Sequence, residues 1–561
     1  MITYTALSLN EFVDSMLVSN LLGSDALAIV TLGTPVMLAM AALYSLLGSG
    51  GSTIYAIATG ERDHETAGKS LTASSAAALA AGVLLLVLGN AFAGPLAGLL
   101  CKDQSLMAEF VTYIRVLMLS APPVILILTF VSFLPSAGYP GFSTAVNVIA
   151  NVSNIFLDYI YIRYFHMGVA GAAWATLTGY FIAAAVTVIY MAAGKIKLYY
   201  SKDIRGSFGL IGEVTKVGGP DAMSQVGMSI QFAVCNRLAA AAAGTNGVVA
   251  FSLCLQASSV ISIFIGAIIG SAVPILAVLH GQRDYSGEAG ILRASLAGQF
   301  VASVAVVAVL VVFAPQAAAL YNITEAAQLA LSVYALRVYS LMFLARDAVI
   351  VYFRYLKVIG LENYSTVLSA LDSFAGIVPV AWIMVRLMGI NGLWWAFLVT
   401  EMLLILLILI CNRWYGKKSE GRLCGPLLIE NDEEATPLLD VTISKDLADI
   451  SGISMKLQQL CEENGLSRRE ALMAALAVEE LAVYAANRKS QSSHMDILVR
   501  LSRGNVEIDF RSLGEAFDPL ADEDSDIQEN VQLLRRISSS IENEYILGMN
   551  STRIIMTGRG S

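Results

Sequence analysis

Runs of about 20 apolar residues recur through the first three quarters of this 561-residue chain. As a helix, each run is long enough to cross a hydrocarbon core about 30 Å thick. Charged residues make up only 14% of the chain and the mean hydropathy is +0.67, whereas a soluble protein is about a quarter charged. The sequence therefore predicts an all-α polytopic membrane protein, multi-pass in the cell membrane and in contact with lipid.

Breaks between the apolar runs predict twelve transmembrane helices. Their expected bounds are 2–22, 26–57, 71–100, 107–136, 143–164, 168–193, 211–241, 247–279, 293–319, 327–356, 365–387 and 391–413. Basic turns such as GERDHETAGK alternate with turns poor in base, and Lys and Arg favour the cytoplasmic side. Both termini are then expected in the cytoplasm. The opening MITYTALSLN lacks a basic region and a cleavage site, so no cleavable signal peptide is expected.

An offset of 221 residues relates the two halves of the apolar region. It superposes MGVAGAAWAT (167–176) on MGINGLWWAF (388–397). Other superposed pairs are Gly60 with Gly281, Arg62 with Arg283 and Asp63 with Asp284. A repeat of six helices keeps its direction across the membrane, so two parallel six-helix lobes are predicted. Such lobes typically flank a substrate cavity and alternate its access; a duplicated structural bundle without transport is the other interpretation.

The charge divides the chain into a transmembrane part and an acidic tail. Residues 430–561 hold 24 acidic and 13 basic residues, and the preceding residues hold 20 and 22. A nucleic-acid partner is therefore not expected. The predicted segments are an N-terminal lobe (1–193), an inter-lobe linker (194–210), a C-terminal lobe (211–414), a second linker (415–438) and a cytoplasmic α+β sandwich domain (439–561).

The six cysteines and four histidines are scattered, without a C-x-x-C pair. The sequence therefore favours neither a disulfide framework nor a zinc site. We expect no resident cofactor and no catalytic residue, so the chain is predicted not to be an enzyme.

One apolar span, NVSNIFLDYIYI, carries an ionisable residue in its middle. A carboxylate at the bilayer centre costs at least about 2.5–3.5 kcal/mol, so it is usually functional or paired. Asn154 and Asp158 stand four residues apart and share one helix face. A coupling role and a buried ion pair with Arg163 are the two interpretations.

Several stretches resemble the MATE (multidrug and toxic compound extrusion) transporters. They are LNEFVDSMLVSNLLGSDALA, GSGGSTIYAIATGERDHETA, NVSNIFLDYIYI with MGVAGAAWATL, and GSAVPILAVLHGQRDY, and the resemblance covers about residues 8–413. It implies a monomeric antiporter that exports small organic, often cationic, compounds in exchange for H+ or Na+. It also implies a cation site formed by Asp14, Asn154, Asp158 and Thr176. These residues offer only oxygen ligands, which suit Na+ or a shared proton.

The C-terminal lobe lacks these residues at the matching positions, where Asp158 maps to Pro379. The resemblance implies that polar residues of this lobe hold cationic substrates, and the candidates are Asp221, Gln225, Gln231, Gln256 and Asp347. A helix cap at Asp221 and a salt bridge of Asp347 with Arg346 are the structural alternatives. Pro35 and Pro274 lie inside apolar helices and are candidate kinks.

The tail resembles anti-sigma-factor serine kinases, a branch of the histidine-kinase-type ATPases, through AVEELAVYAAN, LGEAFDP and GMNSTRIIMT. Several nucleotide-binding positions are altered. Tyr484 stands where the family has a magnesium-binding asparagine four residues after Glu480, and Asn487 is the alternative ligand. Ser512 stands where an adenine-binding aspartate precedes the motif that begins at Gly514. The resemblance implies a degenerate, non-hydrolysing domain that regulates through a cytosolic partner protein; an inert appendage is the other interpretation.

Two other functions fit a chain of this class. A flippase for lipids or lipid-linked sugars would line its cavity with basic residues to hold phosphate, whereas the helix interiors here carry carboxylates. A membrane-tethered sensor would use its tail to bind a partner without transport.

Overall fold

The computed structural model describes residues 17–18, 21–22, 24–101, 106–320, 325–431, 435–486, 494–502, 505–514, 534–535 and 538–557. Asp14 and Asn487 lie outside these ranges. The chain forms two compact units. The transmembrane unit comprises Met1–Lys418 and Gly425–Ile429, and the C-terminal unit comprises Ser419–Cys424 and Glu430–Ser561.

The first lobe is helical. Its helices are α1 (Ser24–Leu32), α2 (Thr34–Tyr44), α3 (Gly50–Glu61), α4 (His64–Ala91), α5 (Ala93–Leu100), α6 (Met107–Leu119), α7 (Ala121–Ser136), α8 (Pro140–Tyr159) and α9 (Val169–Ala192). Two π-helical turns, Ser45–Ser49 and Ile160–Tyr164, join α2 to α3 and extend α8. A π-helical turn holds one residue more than an α-helical turn and often marks a functional site.

The second lobe follows a short linker helix, α10 (Ile204–Ser207), and a 3₁₀ turn, Phe208–Leu210. Its helices are α11 (Ile211–Gly281), α12 (Tyr285–Val312), α13 (Ala314–Leu320), α14 (Ala326–Ser340), α15 (Phe343–Val358), α16 (Glu362–Ala370), α17 (Ile377–Met388) and α18 (Ile390–Lys418). A third π-helical turn, Leu371–Ala375, lies between α16 and α17. The backbone leaves the helical region inside α11, at Ala243 and Gly244, where the sequence predicts a turn.

In the described part of the chain, eight helical segments are long and apolar enough to cross a membrane, and two bent pairs raise this number to ten. The bent pairs are α6 with α7, at 43°, and α14 with α15, at 41°. Large apolar side chains of the long helices are exposed, as Leu84 on α4 (58%) and Val301 on α12 (67%) show. These features fit a multi-pass membrane protein. Twelve helices stay a prediction.

Equivalent turns of the two lobes have the same backbone conformation. Arg62 and Arg283 both have positive φ, 63° and 55°. Each precedes an aspartate that caps the next helix, because Asp63 accepts from the backbone N–H of Thr66 and Asp284 accepts from that of Gly287. Hydrogen bonds from Thr66 lower the pKa of Asp63. The offset of 221 residues therefore corresponds to a structural repeat.

The inter-lobe linker is bound to the first lobe. The backbone N–H of Lys197 donates to the Tyr139 hydroxyl at 3.1 Å. The backbone N–H of Ser201 donates to Thr72 Oγ1 at 3.0 Å, and Thr72 Oγ1 donates to the Ser201 carbonyl at 3.2 Å. The first part of this linker is thus fixed to α4 and to the turn before α8.

The C-terminal unit is an α+β domain. Its main strands are β3 (Ala435–Ser444), β4 (His494–Ser502), β5 (Asn505–Leu513), β6 (Ser540–Ile546) and β7 (Met549–Thr557), numbered after two short strands, β1 (Leu423–Cys424) and β2 (Ile429–Glu430). The five strands form an antiparallel sheet in the order β3-β4-β5-β7-β6. Two helices, α19 (Leu447–Glu463) and α20 (Arg468–Ala486), pack on one face through residues such as Val478, Ile497 and Phe510. The sheet begins at Ala435, inside the predicted linker.

Candidate functional site

The first lobe holds a buried polar cluster between α8 and α9. Asp158 is fully buried and Asn154 is 9% exposed. Asn154 Nδ2 donates to Thr176 Oγ1 at 3.4 Å, and the Thr176 hydroxyl donates to the Ala172 carbonyl at 3.2 Å. Three of the four residues predicted for the cation site thus lie on two neighbouring helices, and the fourth, Asp14, is not described.

Close helix packing positions this cluster. A Cβ atom at Gly179 would lie 3.1 Å from the Ala150 carbonyl oxygen, so α8 and α9 are in close contact one turn from Asn154. The π-helical turn Ile160–Tyr164 begins two residues after Asp158. The carboxylate therefore lies where the helical register changes.

The second lobe holds a larger buried cluster with three acidic residues and one arginine. Arg346 and Asp347 lie on α15, Asp372 lies in the π-helical turn Leu371–Ala375, and Glu401 lies on α18. The three carboxylates are 3–4% exposed. Arg346 Nε lies 3.6 Å from Asp372 Oδ1, and Glu401 lies beside both residues. Three acidic groups and one guanidinium give the cluster an excess of negative charge. A bound cation or bound protons would balance this charge.

Polar residues of α12 complete this cluster. Ser303 Oγ donates to Asp347 Oδ2 at 2.8 Å, and the fully buried Gln299 lies next to Asp347. The Gln299 amide interacts with the Asp347 carboxylate.

Aromatic rings border the cluster on the side of Tyr339, which lies close to Arg346. The Tyr339 ring packs edge-to-face on Phe397, with centroids 4.8 Å apart, and Phe397 stacks on Phe251 at 6.4 Å. Carboxylates beside aromatic faces suit an organic cation, which ring quadrupoles attract.

Asp221 is also buried, but it lies in an ion-pair network that joins the lobes. Lys357 Nζ donates to Asp221 Oδ2 at 2.6 Å, and Arg354 Nε lies 3.1 Å from Oδ1. Ser49, in the first lobe, donates to the same Oδ2 at 2.6 Å. The lysine side chain is 1% exposed. Asp221 lies ten residues inside α11, so the helix-cap alternative is wrong; substrate binding by Asp221 stays a prediction.

The remaining candidates are spread along α11 and α2. Gln225 and Gln231 are half-buried on the first part of α11, and Gln256 is exposed on its second part. Pro274 lies inside α11. Pro35 lies in the first turn of α2, directly after the break at Gly33. Whether these residues bind substrate or bend helices stays a prediction.

In the C-terminal unit, Glu480 and Tyr484 are half-buried, one turn apart on α20. Ser512 lies in β5, opposite Met495 of β4 and Asn550 of β7, and is 2% exposed. Gly514 follows β5 with φ of 152°. Nucleotide binding at these positions stays untested.

Sequence reasoning missed Asp372, Glu401, Gln299 and Lys357. The signal for the acidic pair was present, because each is the lone carboxylate of its apolar span. The second lobe therefore has a carboxylate cluster of its own, whose members converge from positions that do not match Asp158.

The comparisons with known proteins agree with this architecture. Residues 1–160 match the MatE family. The chain is 24% identical over 381 residues to the multidrug export protein MepA of Staphylococcus saprophyticus subsp. saprophyticus, covering 67% of this chain and 83% of that protein. A crystal structure of a MATE protein in complex with MaL6 matches with a TM-score of 0.69 and 25% identity, covering 75% of this chain and 94% of that one.

A second solved structure matches to the same extent, with 25% identity, a TM-score of 0.69 and the same coverage of 75% and 94%. It is a MOP superfamily transporter from Pyrococcus furiosus whose description reports a reverse polarity of the binding pocket and suggests a different function. The repeated helical lobes and these matches define a secondary-transporter fold. The chain is similar to MATE transporters over its transmembrane unit, and it carries an additional C-terminal α+β unit.

Proposed function

We propose that this protein is an antiporter that exports small organic cations in exchange for H+ or Na+. The observation that carries the proposal is the presence of a buried carboxylate site in each lobe. The first-lobe site, with Asn154, Asp158 and Thr176, has one carboxylate and offers oxygen ligands. The second-lobe site, around Asp347, Asp372 and Glu401, has three carboxylates and borders aromatic rings.

The two sites have different chemistry, which supports a division of roles. Oxygen ligands at close quarters suit a proton or Na+, so the first-lobe site is the coupling site. Carboxylates beside aromatic rings suit an organic cation, so the second-lobe site is the substrate site. MepA is described as a multidrug export protein, which agrees with substrates of this class.

The test is uptake of a fluorescent organic cation into proteoliposomes under an imposed H+ or Na+ gradient. We expect one gradient to drive uptake and Asp158→Asn to abolish it. Glu109→Gln is the matched control, because Glu109 is an exposed carboxylate of the same lobe. Uptake by wild type that needs neither gradient, or that Asp158→Asn leaves intact, would rule out the coupling role.

We propose that the C-terminal unit regulates transport and does not hydrolyse ATP. The altered residues Tyr484 and Ser512 support this proposal, because a hydroxyl in the sheet core cannot replace a carboxylate that accepts from adenine. Phosphate release from ATP by the purified full chain is expected to equal the background rate. Turnover above background would contradict the proposal.

A further inference from the structure

The ion-pair network at Asp221 binds the two lobes to each other. Ser49 belongs to the first lobe, and Asp221, Arg354 and Lys357 belong to the second. Lys357 Nζ donates to Ser49 Oγ at 2.5 Å as well as to Asp221. Ser49 is the first-lobe member of this network, so parting the lobes here breaks both of its hydrogen bonds and withdraws the hydroxyl from the buried ion pair of Lys357 and Asp221. This inter-lobe lock, formed by Ser49, Asp221, Arg354 and Lys357, therefore has to open when the lobes separate at this end.

The backbones beside the lock are in close contact. A Cβ atom at Gly50 would overlap the Val214 carbonyl oxygen, and one at Gly218 would overlap the Leu46 carbonyl oxygen. Ser49 is the last residue of a π-helical turn, so its hydroxyl faces the second lobe at a change of register. The hydrogen bonds of the lock therefore form only while the π-helical turn Ser45–Ser49, α11 and α15 keep these positions.

A short segment from beyond α18 packs against the helix that supplies two residues of the lock. Gly425–Ile429 belongs to the transmembrane unit, and Leu428 is fully buried. The Tyr355 hydroxyl donates to the Leu428 carbonyl at 3.2 Å, and Asn412 Nδ2 donates to the Pro426 carbonyl at 2.6 Å. We call this segment the anchor.

The anchor and the lock use the same two turns of α15. Tyr355 lies between Arg354 and Lys357 along the chain, and Asn412 Nδ2 also donates to the Tyr352 hydroxyl at 2.6 Å. The residues on either side of the anchor, 419–424 and 430–561, belong to the C-terminal unit. The covalent chain thus connects that unit to the anchor at both of its ends.

We propose that the anchor is a regulatory device through which the C-terminal unit controls the inter-lobe lock. While the anchor is seated on Tyr355 and Asn412, the last turns of α15 hold Lys357 against Ser49 and Asp221, and the lobes stay together. When the anchor is withdrawn, α15 loses this support and the lock opens. The role of this device in transport rests on the proposed transport function. The coupling between the anchor and the inter-lobe lock does not depend on that function.

The test is the distance between spin labels in the purified full chain. Labels at Glu65→Cys in the first lobe and Asn363→Cys in the second, both exposed positions, are placed in a background whose six native cysteines are replaced by alanine. Tyr355→Phe removes one anchor hydrogen bond, and Asn412→Ala removes the other. Tyr334→Phe is the matched control, because Tyr334 lies on α14, outside the anchor and the lock, and accepts from Trp395.

Each anchor variant is expected to raise the ratio of long to short distances about fivefold, the factor that one hydrogen bond of ordinary strength is worth. Asp221→Asn, which breaks the lock directly, should produce the same long distance, and Tyr334→Phe should leave the wild-type distribution. An unchanged distribution in Tyr355→Phe and Asn412→Ala would overturn the proposal. So would an unchanged distribution in Asp221→Asn. If Asn412→Ala does not fold, Tyr355→Phe decides.

Uptake assays on the same variants separate this proposal from the transport function. A wild type without gradient-driven uptake, but with the expected distance changes, would contradict the antiporter and leave the anchor standing. Gradient-driven uptake that Tyr355→Phe and Asn412→Ala leave unchanged, together with unchanged distances, would contradict the anchor alone.

Discussion

Gly60 and Gly281 occupy equivalent positions of the two lobes, and each lies against the carbonyl of the residue three positions before the other. A Cβ atom at Gly60 would overlap the Val278 oxygen, and one at Gly281 would overlap the Ile57 oxygen. Helices α3 and α11 therefore touch backbone to backbone across the pseudo-twofold axis. Small residues permit this approach in membrane proteins, where packing rather than hydrophobicity joins helices.

This contact predicts that Gly60→Ala and Gly281→Ala destabilise the protein to a similar extent, by about 1–3 kcal/mol each, because the helices must move apart. The measurement is chemical unfolding in detergent, followed by tryptophan fluorescence. Gly298→Ala on α12 is the control, since a Cβ atom there meets nothing within 4 Å; it should be neutral or stabilising. Unequal effects at Gly60 and Gly281 would show that the contact is not symmetric.

Removing one partner of the inter-lobe lock should also destabilise the protein. Asp221→Ala leaves the Lys357 ammonium buried without its closest carboxylate, which costs about 3–5 kcal/mol. The exposed pair of Glu65 and Lys69 supplies the control, because Glu65→Ala should cost at most about 0.5 kcal/mol. In the same unfolding assay, adding Lys357→Met to Asp221→Ala should restore part of the loss. An additive double variant would indicate that the two side chains do not interact.

The second-lobe cluster predicts a loss of ligand affinity in Asp372→Asn. Neutralising one of three carboxylates weakens the attraction for an organic cation, and we expect an affinity about tenfold lower, or about 1.4 kcal/mol. Fluorescence titration with the cation used for uptake measures this change. Affinity equal to that of wild type would place the substrate elsewhere, and Glu109→Gln again serves as the unaffected comparison.

A buried charge network also stabilises the C-terminal unit. Asp509 accepts from Arg500 Nη2 at 2.6 Å and from Arg553 Nε at 2.8 Å. Asp509→Ala should therefore destabilise this unit by about 3–5 kcal/mol and speed hydrogen exchange in β4, β5 and β7, without a change in α4. Asp496→Ala, at an exposed position of β4, should change stability by less than about 0.5 kcal/mol.

The sequence predicts the local features of this fold well because their causes are local. Gly168 and Gly389, found through the repeat, both have φ near 60° and ψ of −148° at helix starts. The caps at Asp63 and Asp284 follow from an aspartate placed before an apolar run. These features depend on a few neighbouring residues, which a repeat of the sequence preserves.

The sites that join distant segments could not be predicted in this way. Asp372 and Glu401 come from different spans, and the π-helical turn around Asp372 changes the face that α-helical periodicity would assign. Asp221 meets Lys357, 136 residues away along the chain. Such pairings depend on helix packing, which a single sequence does not encode by any short-range pattern.

The hydrogen bonds of the inter-lobe linker shorten the part of the linker that can extend when the lobes move. With Lys197 and Ser201 held on the first lobe, the free tether shortens to residues 202–210, part of which is already wound into α10 and a 3₁₀ turn. Fully unwound, these nine residues would span roughly 30 Å. Relative motion of the lobes must therefore unwind α10 or stay within a small rotation about the glycine contact.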